Sequence, residues 1–498
     1  MDGNEAGATL NEELPIGAIT MNENTLSKRA FLKVTGAAIA GAMASRYSWG
    51  AQAPSVVVIG AGLSGLYAAQ LLADSGAKVT VLEGRDRVGG RVLTLDDVPG
   101  RPEAGGQTIG AYYGRMLFLA QKYGLELGTI DMTLGDEANK QIYHVGGERV
   151  LPNNWADSKR NPFPAEAKHL LPDRALSQLL GTPPFSDMGE WHKKPYFEFD
   201  VSVGEFLRDR GFNEDSMRLL NQTHGYGRTL DETSLLFMHR NYQIFSAAMQ
   251  VSYAMRTIKG GNQRLPEAMA AALPGDVMTG RQVTAVRENK RGVEVICADG
   301  ARYQADYVVS SLPLATLGHV EFEPKLPPMQ REAAAEVPYS QVYQAHFEVT
   351  KPFWEGTGFM PNIWSDTVIE RVFATDPGYT GALTNLTVWI NGEGVEKVKQ
   401  LSHDKAEKLI SEDLFGVLPE ARSGVKLRKL FTWNNEAFSN GGFAVWAPGQ
   451  IKRYVDVVAQ PAGRVHFAGE HTARWASGME GALESGERAA YEILDLVA

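Results

Sequence analysis

The stretch from Ser55 to Arg91, SVVVIGAGLSGLYAAQLLADSGAKVTVLEGRDRVGGR, limits the fold more than any other part of the chain. Residues 55–59 are a continuous apolar, β-branched run, the pattern of a parallel strand covered on both faces. Gly60, Gly62 and Gly65 follow in a G-x-G-x-x-G frame. They lead into a helix expected from Leu66 to about Ser75, which Gly76 can close. A second strand is expected over Lys78 to Leu82, ending at Glu83. This is a βαβ unit whose glycines allow a tight turn and let the backbone approach a pyrophosphate at a helix N-terminus. Glu83 stands where a carboxylate accepts hydrogen bonds from a ribose diol. The frame by itself serves more than one dinucleotide.

The rest of the chain wraps around this unit. At 498 residues there is room for two or three domains. With 44% hydrophobic and 22% charged residues the chain can bury a large core. A net charge of −10 argues against nucleic acid or an anionic membrane as partner. No run of about 18 apolar residues occurs, so no conventional spanning helix is expected. The single cysteine, Cys297, can form no intrachain disulfide and reads as a small buried residue on a strand; no Cys-rich metal site is offered. Residues 108–258 read as helical and irregular. Strand character returns near 283–311 in VTAVREN, GVEVICADG and YQADYVVSSLP, and residues 320–430 alternate strands and helices.

Ahead of all this lies LSKRAFLKVTGAAIAGAMAS, Leu26 to Ser45, with basic residues before a short apolar run and an A-x-A site at Ala42 to Ala44. It resembles a twin-arginine export signal with Lys28 in place of the first arginine. That implies a periplasmic or secreted protein, with Met21 an alternative start. The other reading is a disordered basic tail, and the protein is then cytoplasmic.

The text after Glu83 separates the dinucleotides. EGRDRVGGR resembles the E-x-R-x-R-x-G-G-R signature of the flavin-containing amine oxidase family. HFAGEHTARWASGMEGALESGERAA, His466 to Ala490, is similar to that family's C-terminal motif. KGGNQRLPEAMA, the strand at Val283 and SSLPLATL match its middle blocks. The resemblance implies an α/β fold: an FAD-binding Rossmann-like domain of the glutathione-reductase type with an inserted α+β substrate domain. The expected FAD-binding pieces are 54–107, 259–319 and 431–498, the substrate pieces are 108–258 and 320–430, and residues 1–53 form the leader. It also implies FAD, held by Gly60, Gly62, Gly65, Glu83, Arg85, Gly90, Arg91, Val283, Glu470 and Met479. The arginines are expected to neutralise phosphate, and the helix beginning near Met479 to favour negative charge on the flavin. Where some members attach the flavin through a cysteine this chain has Phe443, so non-covalent FAD is expected.

Members of that family pass a hydride from the carbon next to an amine nitrogen to the flavin. The imine hydrolyses, and O2 or another acceptor reoxidises the flavin, with hydrogen peroxide the product of O2. Such chemistry asks the protein mainly to hold an uncharged amine in place and to exclude water. Three departures matter. The two aromatic residues that flank the flavin in monoamine oxidases are replaced by Ala444 and Gly478, and Trp433, Trp446 or Trp475 could supply the lost surface. A lysine linked to oxygen reactivity is replaced by His319, which could hold the same water or mark the use of another acceptor. The arginine that binds a substrate carboxylate is missing near Leu95 and Asp96, with Arg101 and Arg115 out of register.

The leading expectation is therefore an amine oxidase or dehydrogenase acting on a small primary or secondary amine without an α-carboxylate. His319 and Trp433 are its candidate catalytic residues, and Gln107, Trp364, Ala444, Trp475 and Gly478 its candidate substrate residues. Its partners are the amine, O2 or an exported acceptor such as a cytochrome, and a second copy in a homodimer. The alternatives are an L-amino-acid oxidase, a related flavin desaturase or isomerase, and a non-catalytic flavin-binding protein.

Overall fold

The computed structural model describes residues 53–130, 140–223, 225–251 and 255–497. The expected export signal lies outside them. Five strands form an all-parallel sheet in the spatial order Val465–Phe467, Tyr307–Ser310, Ser55–Ile59, Lys78–Leu82 and Val277–Met278. The run at 55–59 sits near its centre, and its alternate residues face two different cores. Val56 and Val58 pack with Leu66, Leu72, Leu483 and Ile493, beneath the helices Leu63–Asp74 and Gly478–Val497. Val57 and Ile59 pack with Val293, Val295 and Phe322 of a second, four-stranded sheet on the opposite face. Burial on both sides is why this strand has no polar alternation.

The first helix begins at Leu63, earlier than the sequence pattern suggested, so Gly65 lies inside its first turn. The segment read as one strand, YQADYVVSS, is two. Arg302–Ala305 joins the four-stranded sheet and Tyr307–Ser310 the parallel one. Between them Asp306 accepts hydrogen bonds from the N–H and hydroxyl of Ser55, at 2.8 and 2.7 Å. Cys297 is buried at the end of its strand, as expected.

A seven-stranded sheet builds the other half of the molecule. Its order is Val425–Thr432, Val342–Val349, Asn385–Asn391, Arg371–Thr375, Ile363–Ser365, Ile142–Val145 and Glu148–Val150. All neighbours are antiparallel except Ile363–Ser365 with Ile142–Val145. The stretch read as helical and irregular thus supplies two strands to this sheet, and two more, Leu127–Ile130 and Met255–Ile258, that pair with each other. One face of this sheet is covered by the helix His403–Val417, whose Ile410 and Leu414 pack on Leu386, Val388 and Ile390. The helix Leu235–Val251 contacts the segment before the C-terminal helix.

Candidate functional site

A trough of about 750 Å³ runs across the C-terminal ends of the parallel strands toward the seven-stranded sheet. That is within the usual 300–1,000 Å³ of ligand pockets. Its floor is the turn after the first strand. Gly60 has φ +101°, and a Cβ there would stand 2.6 Å from the Ser311 hydroxyl oxygen. A Cβ on Gly65 would stand 2.1 Å from the Gly60 carbonyl oxygen, so the helix backs directly onto the turn. Gly62 and Gly90 run side by side, a Cβ on Gly90 coming within 3.3 Å of the Gly62 Cα. The passing loops leave backbone as the lining, which suits a pyrophosphate at the helix start.

Glu83 is only 4% exposed. Its carboxylate accepts the Ala61 N–H at 2.8 Å and the Arg85 N–H at 2.9 Å. Those two bonds hold the side chain at the trough wall with acceptor capacity left for a ribose. Arg281 and Gly280 donate backbone N–H bonds to the carbonyls of Glu83 and Arg85, bringing Gln282 and Val283 to the same end.

The arginines do something other than what the sequence suggested. Arg85 donates to the Ser439 hydroxyl at 2.7 Å, faces Glu436 at 3.4 Å and lies over the Phe438 ring. Arg91 donates to the Gly442 carbonyl at 2.7 Å and to Glu470 at 2.9 Å. Both line the trough, but their guanidinium groups tie the loops at 436–442 and 470 across it rather than standing open to phosphate. Glu470 also accepts the Ala444 N–H at 3.1 Å.

The end away from Glu83 is built from Gly105, Gly106, Gln107, Trp389, Trp433, Phe443, Gly478 and Met479. Trp433 donates through its indole N–H to the Ala104 carbonyl at 2.7 Å. The fully buried Asn262 donates to the carbonyls of Gly106 and Gln107 at 2.8 and 2.9 Å. Glu103 accepts the Asn262 N–H at 2.6 Å and the Thr94 hydroxyl at 3.1 Å. Desolvation pushes its carboxyl up to about 8. The start of the C-terminal helix reaches this end. Gly478 has φ +57°, and a Cβ on it would stand 3.2 Å from the Tyr113 hydroxyl. Tyr112 and Tyr113 pack edge to face at 4.6 Å, and Tyr226 meets Phe443 at 5.8 Å.

Of the residues singled out from sequence, Gly60, Gly62, Glu83, Arg85, Gly90, Arg91, Gln107, Val283, His319, Trp433, Glu470, Gly478 and Met479 line the trough. Gly65 acts beneath it. Four expectations are corrected. His319 is exposed and stands with Val283 and Val320 at the Glu83 end, because the strand that follows it, Glu321–Glu323, pairs with Val283–Asn289. It is therefore remote from the Trp433 end, where a catalytic role would require it. Trp475 is 57% exposed and lies against Gly189, outside the trough. Ala444 is buried below the lining, with its N–H on Glu470. Trp364 shares a sheet face with Trp389, pairing with Arg371 and lying over its guanidinium, but does not itself line the trough. Trp446, also considered as surface, is buried core. Sequence reasoning missed Asn262, Glu103 and Phe443 as builders of the site. Asn262 sits within the quoted KGGNQR block, and Phe443 had been weighed only as the place of a covalent link.

The lining fits a two-nucleotide flavin: a bare-backbone turn, an acidic residue on one side of it, and on the other an aromatic chamber capped by a helix start. Cys297 is buried behind Val283 at the Glu83 end and is absent from the lining, away from the aromatic chamber, so FAD is non-covalent.

A family model described as flavin containing amine oxidoreductase matches residues 63–494. The flavin-containing amine oxidase B of Homo sapiens is 30% identical over 462 residues, covering 88% of this chain and 86% of its own length. The flavin-containing amine oxidase of Danio rerio is 27% identical over 464 residues, covering 89% and 86%. A putrescine oxidase solved with putrescine bound superposes with a TM-score of 0.72 at 23% identity, covering 89% of this chain and 99% of that one. The cyclohexylamine oxidase of Brevibacterium oxydans IH-35A gives 0.73 at 23% identity, with the same coverage. The last two likenesses are of fold.

Proposed function

The chain belongs to the family of flavin-containing amine oxidoreductases, and from that premise we propose that it oxidises a small primary or secondary amine lacking an α-carboxylate. It is an oxidoreductase acting on amines and uses FAD. FAD, when bound, accepts the hydride from the carbon next to the amine nitrogen. The chain's own residues bind, orient and desolvate. Trp389, Trp433, Phe443 and Val342 give the amine an apolar, water-poor chamber, and Gln107 offers it an uncharged polar contact.

The observation that carries this reading is the engagement of both arginines that could have held a carboxylate. Arg115 donates to Glu480 and Glu487, at 3.2 and 2.5 Å. Arg101 is exposed beside Asp96. Neither offers a bidentate fork to the trough. One observation favours the alternative, an amino-acid oxidase. Arg371 is half-buried among Trp364, Phe373 and Trp389, and Trp389 lines the trough.

Anaerobic mixing with amines (putrescine and cyclohexylamine among them) and with L-amino acids, followed by readmission of air, tests both. Loss of flavin absorbance with amines alone supports the proposal; loss with amino acids alone overturns it in favour of the alternative. The rate of recovery in air tests O2 against another acceptor. Export by the leader belongs to the same proposal, and the mass of the mature N-terminus from the native host tests it. Sedimentation tests the homodimer.

A further inference from the structure

Arg240 stands on the helix Leu235–Val251, outside the parallel-sheet unit, yet its bonds go to the loop that introduces the C-terminal helix. It is buried, and one terminal nitrogen of its guanidinium donates to the carbonyls of Ala473 and Ala476. The guanidinium lies 4.7 Å over the Trp191 ring, and the Trp191 indole N–H donates to the Arg474 carbonyl at 2.9 Å. The opposite side of the loop is held by Glu484, whose carboxylate accepts the N–H groups of Arg474, Trp475 and Ala476, at 2.7, 3.1 and 2.7 Å. Carbonyls on one side and N–H groups on the other are thus both clamped, two residues before Gly478 and Met479 enter the trough wall.

The clamp carries an unusual charge. Among the described residues no carboxylate lies within ion-pair distance of Arg240 and its Nε has no partner, while the Glu484 and Glu470 carboxylates act on its charge from farther off. Burial draws its pKa down to about 10, so it stays protonated at neutral pH. A buried cation whose direct bonds go only to carbonyls is expensive unless negative charge nearby gains from it, and Glu484 and Glu470 supply part of that attraction.

Resting on the flavin reading above, the geometry points to Arg240 as a positioning residue that aims the start of the C-terminal helix at the flavin and adds positive charge beside it. Both effects favour a cofactor that gains negative charge on reduction. The substrate-domain helix then sets the redox poise of a cofactor it does not touch.

The test is reductive titration of FAD-loaded protein with a chemical reductant, which requires no amine substrate and so is independent of the proposed activity. Arg240→Met is expected to shift the oxidised-to-reduced ratio about tenfold toward oxidised, a midpoint potential lower by about 30 mV for a two-electron couple. Arg240→Lys keeps the charge and should stay within about threefold of wild type, a range small beside the tenfold effect. Trp191→Phe removes the neighbouring bond to the same loop without changing charge, and should shift the ratio less than Arg240→Met. A folded, FAD-loaded Arg240→Met with the wild-type potential overturns the inference. If that variant fails to load FAD, Arg240→Lys decides. An FAD dissociation constant raised about tenfold at unchanged potential upholds the role, and values unchanged in both overturn it.

Discussion

Glu83 uses its two oxygens on backbone N–H groups at 2.8 and 2.9 Å and still faces the trough. Glu83→Gln keeps the shape and removes the charge. Hydrogen bonds to a charged group contribute about 1.5–3 kcal/mol, so FAD should bind about 10- to 100-fold more weakly, as read by titrating apoprotein. Gly65→Ala meets backbone, not a movable side chain, 2.1 Å from its Cβ. The purified variant should be colourless, and a stoichiometric yellow preparation would refute the packing described for the turn. Glu103 gives a pH signature. In the fold its carboxyl keeps a proton to about 8, against an ordinary 4.5. Between those values the folded protein binds more protons than the unfolded chain, so stability falls as pH rises through the window and levels off above it. One such group contributes a slope of at most about 1.4 kcal/mol per pH unit. Glu103→Gln cannot titrate, and thermal melts from pH 5 to 9 should show a shallower decline than wild type. Residues such as Glu83 and Gly60 were legible because one backbone motif dictates them. His319 was misplaced because its position follows from a strand pairing, Glu321–Glu323 with Val283–Asn289, that no local pattern announces.

Among the elements, the two helices that flank the parallel sheet meet at a glycine. A Cβ on Gly486 would stand 2.2 Å from the Ser64 carbonyl oxygen, inside the first turn of the Leu63–Asp74 helix. Gly486→Ala must push the helices apart. Overpacking of this kind costs about 1–3 kcal/mol, to be read from the denaturant midpoint. An unchanged midpoint would mean that the helices do not approach so closely. Strand and helix existence in the βαβ unit followed from apolar periodicity and glycine spacing. The boundaries did not, since Leu63 rather than Leu66 opens the helix and Asp306 divides what read as one strand. Strands at 142–150 were missed because they are short and complete a sheet whose other members lie more than two hundred residues later.

At the scale of the molecule, the trough is a seam between the parallel sheet and the seven-stranded sheet, and its walls come from widely separated parts of the chain. A ligand that bridges such a seam stabilises the folded state by mass action. At a hundredfold excess over its dissociation constant, FAD should add about 2.7 kcal/mol. Calorimetry of apoprotein with and without FAD should show a higher melting temperature with the cofactor, and identical curves would contradict the seam. The antiparallel sheet that walls the substrate end was legible only as alternating strands, because its order follows from long-range pairing and not from any one segment. For a nascent chain on the ribosome, the phosphate turn at Gly60 to Gly65 is made early, while the wall that closes it arrives with a terminal helix of 20 residues. Cofactor capture therefore has to wait until that helix has been made, and a premature stop upstream of Gly478 yields a polypeptide with a cradle and no lid.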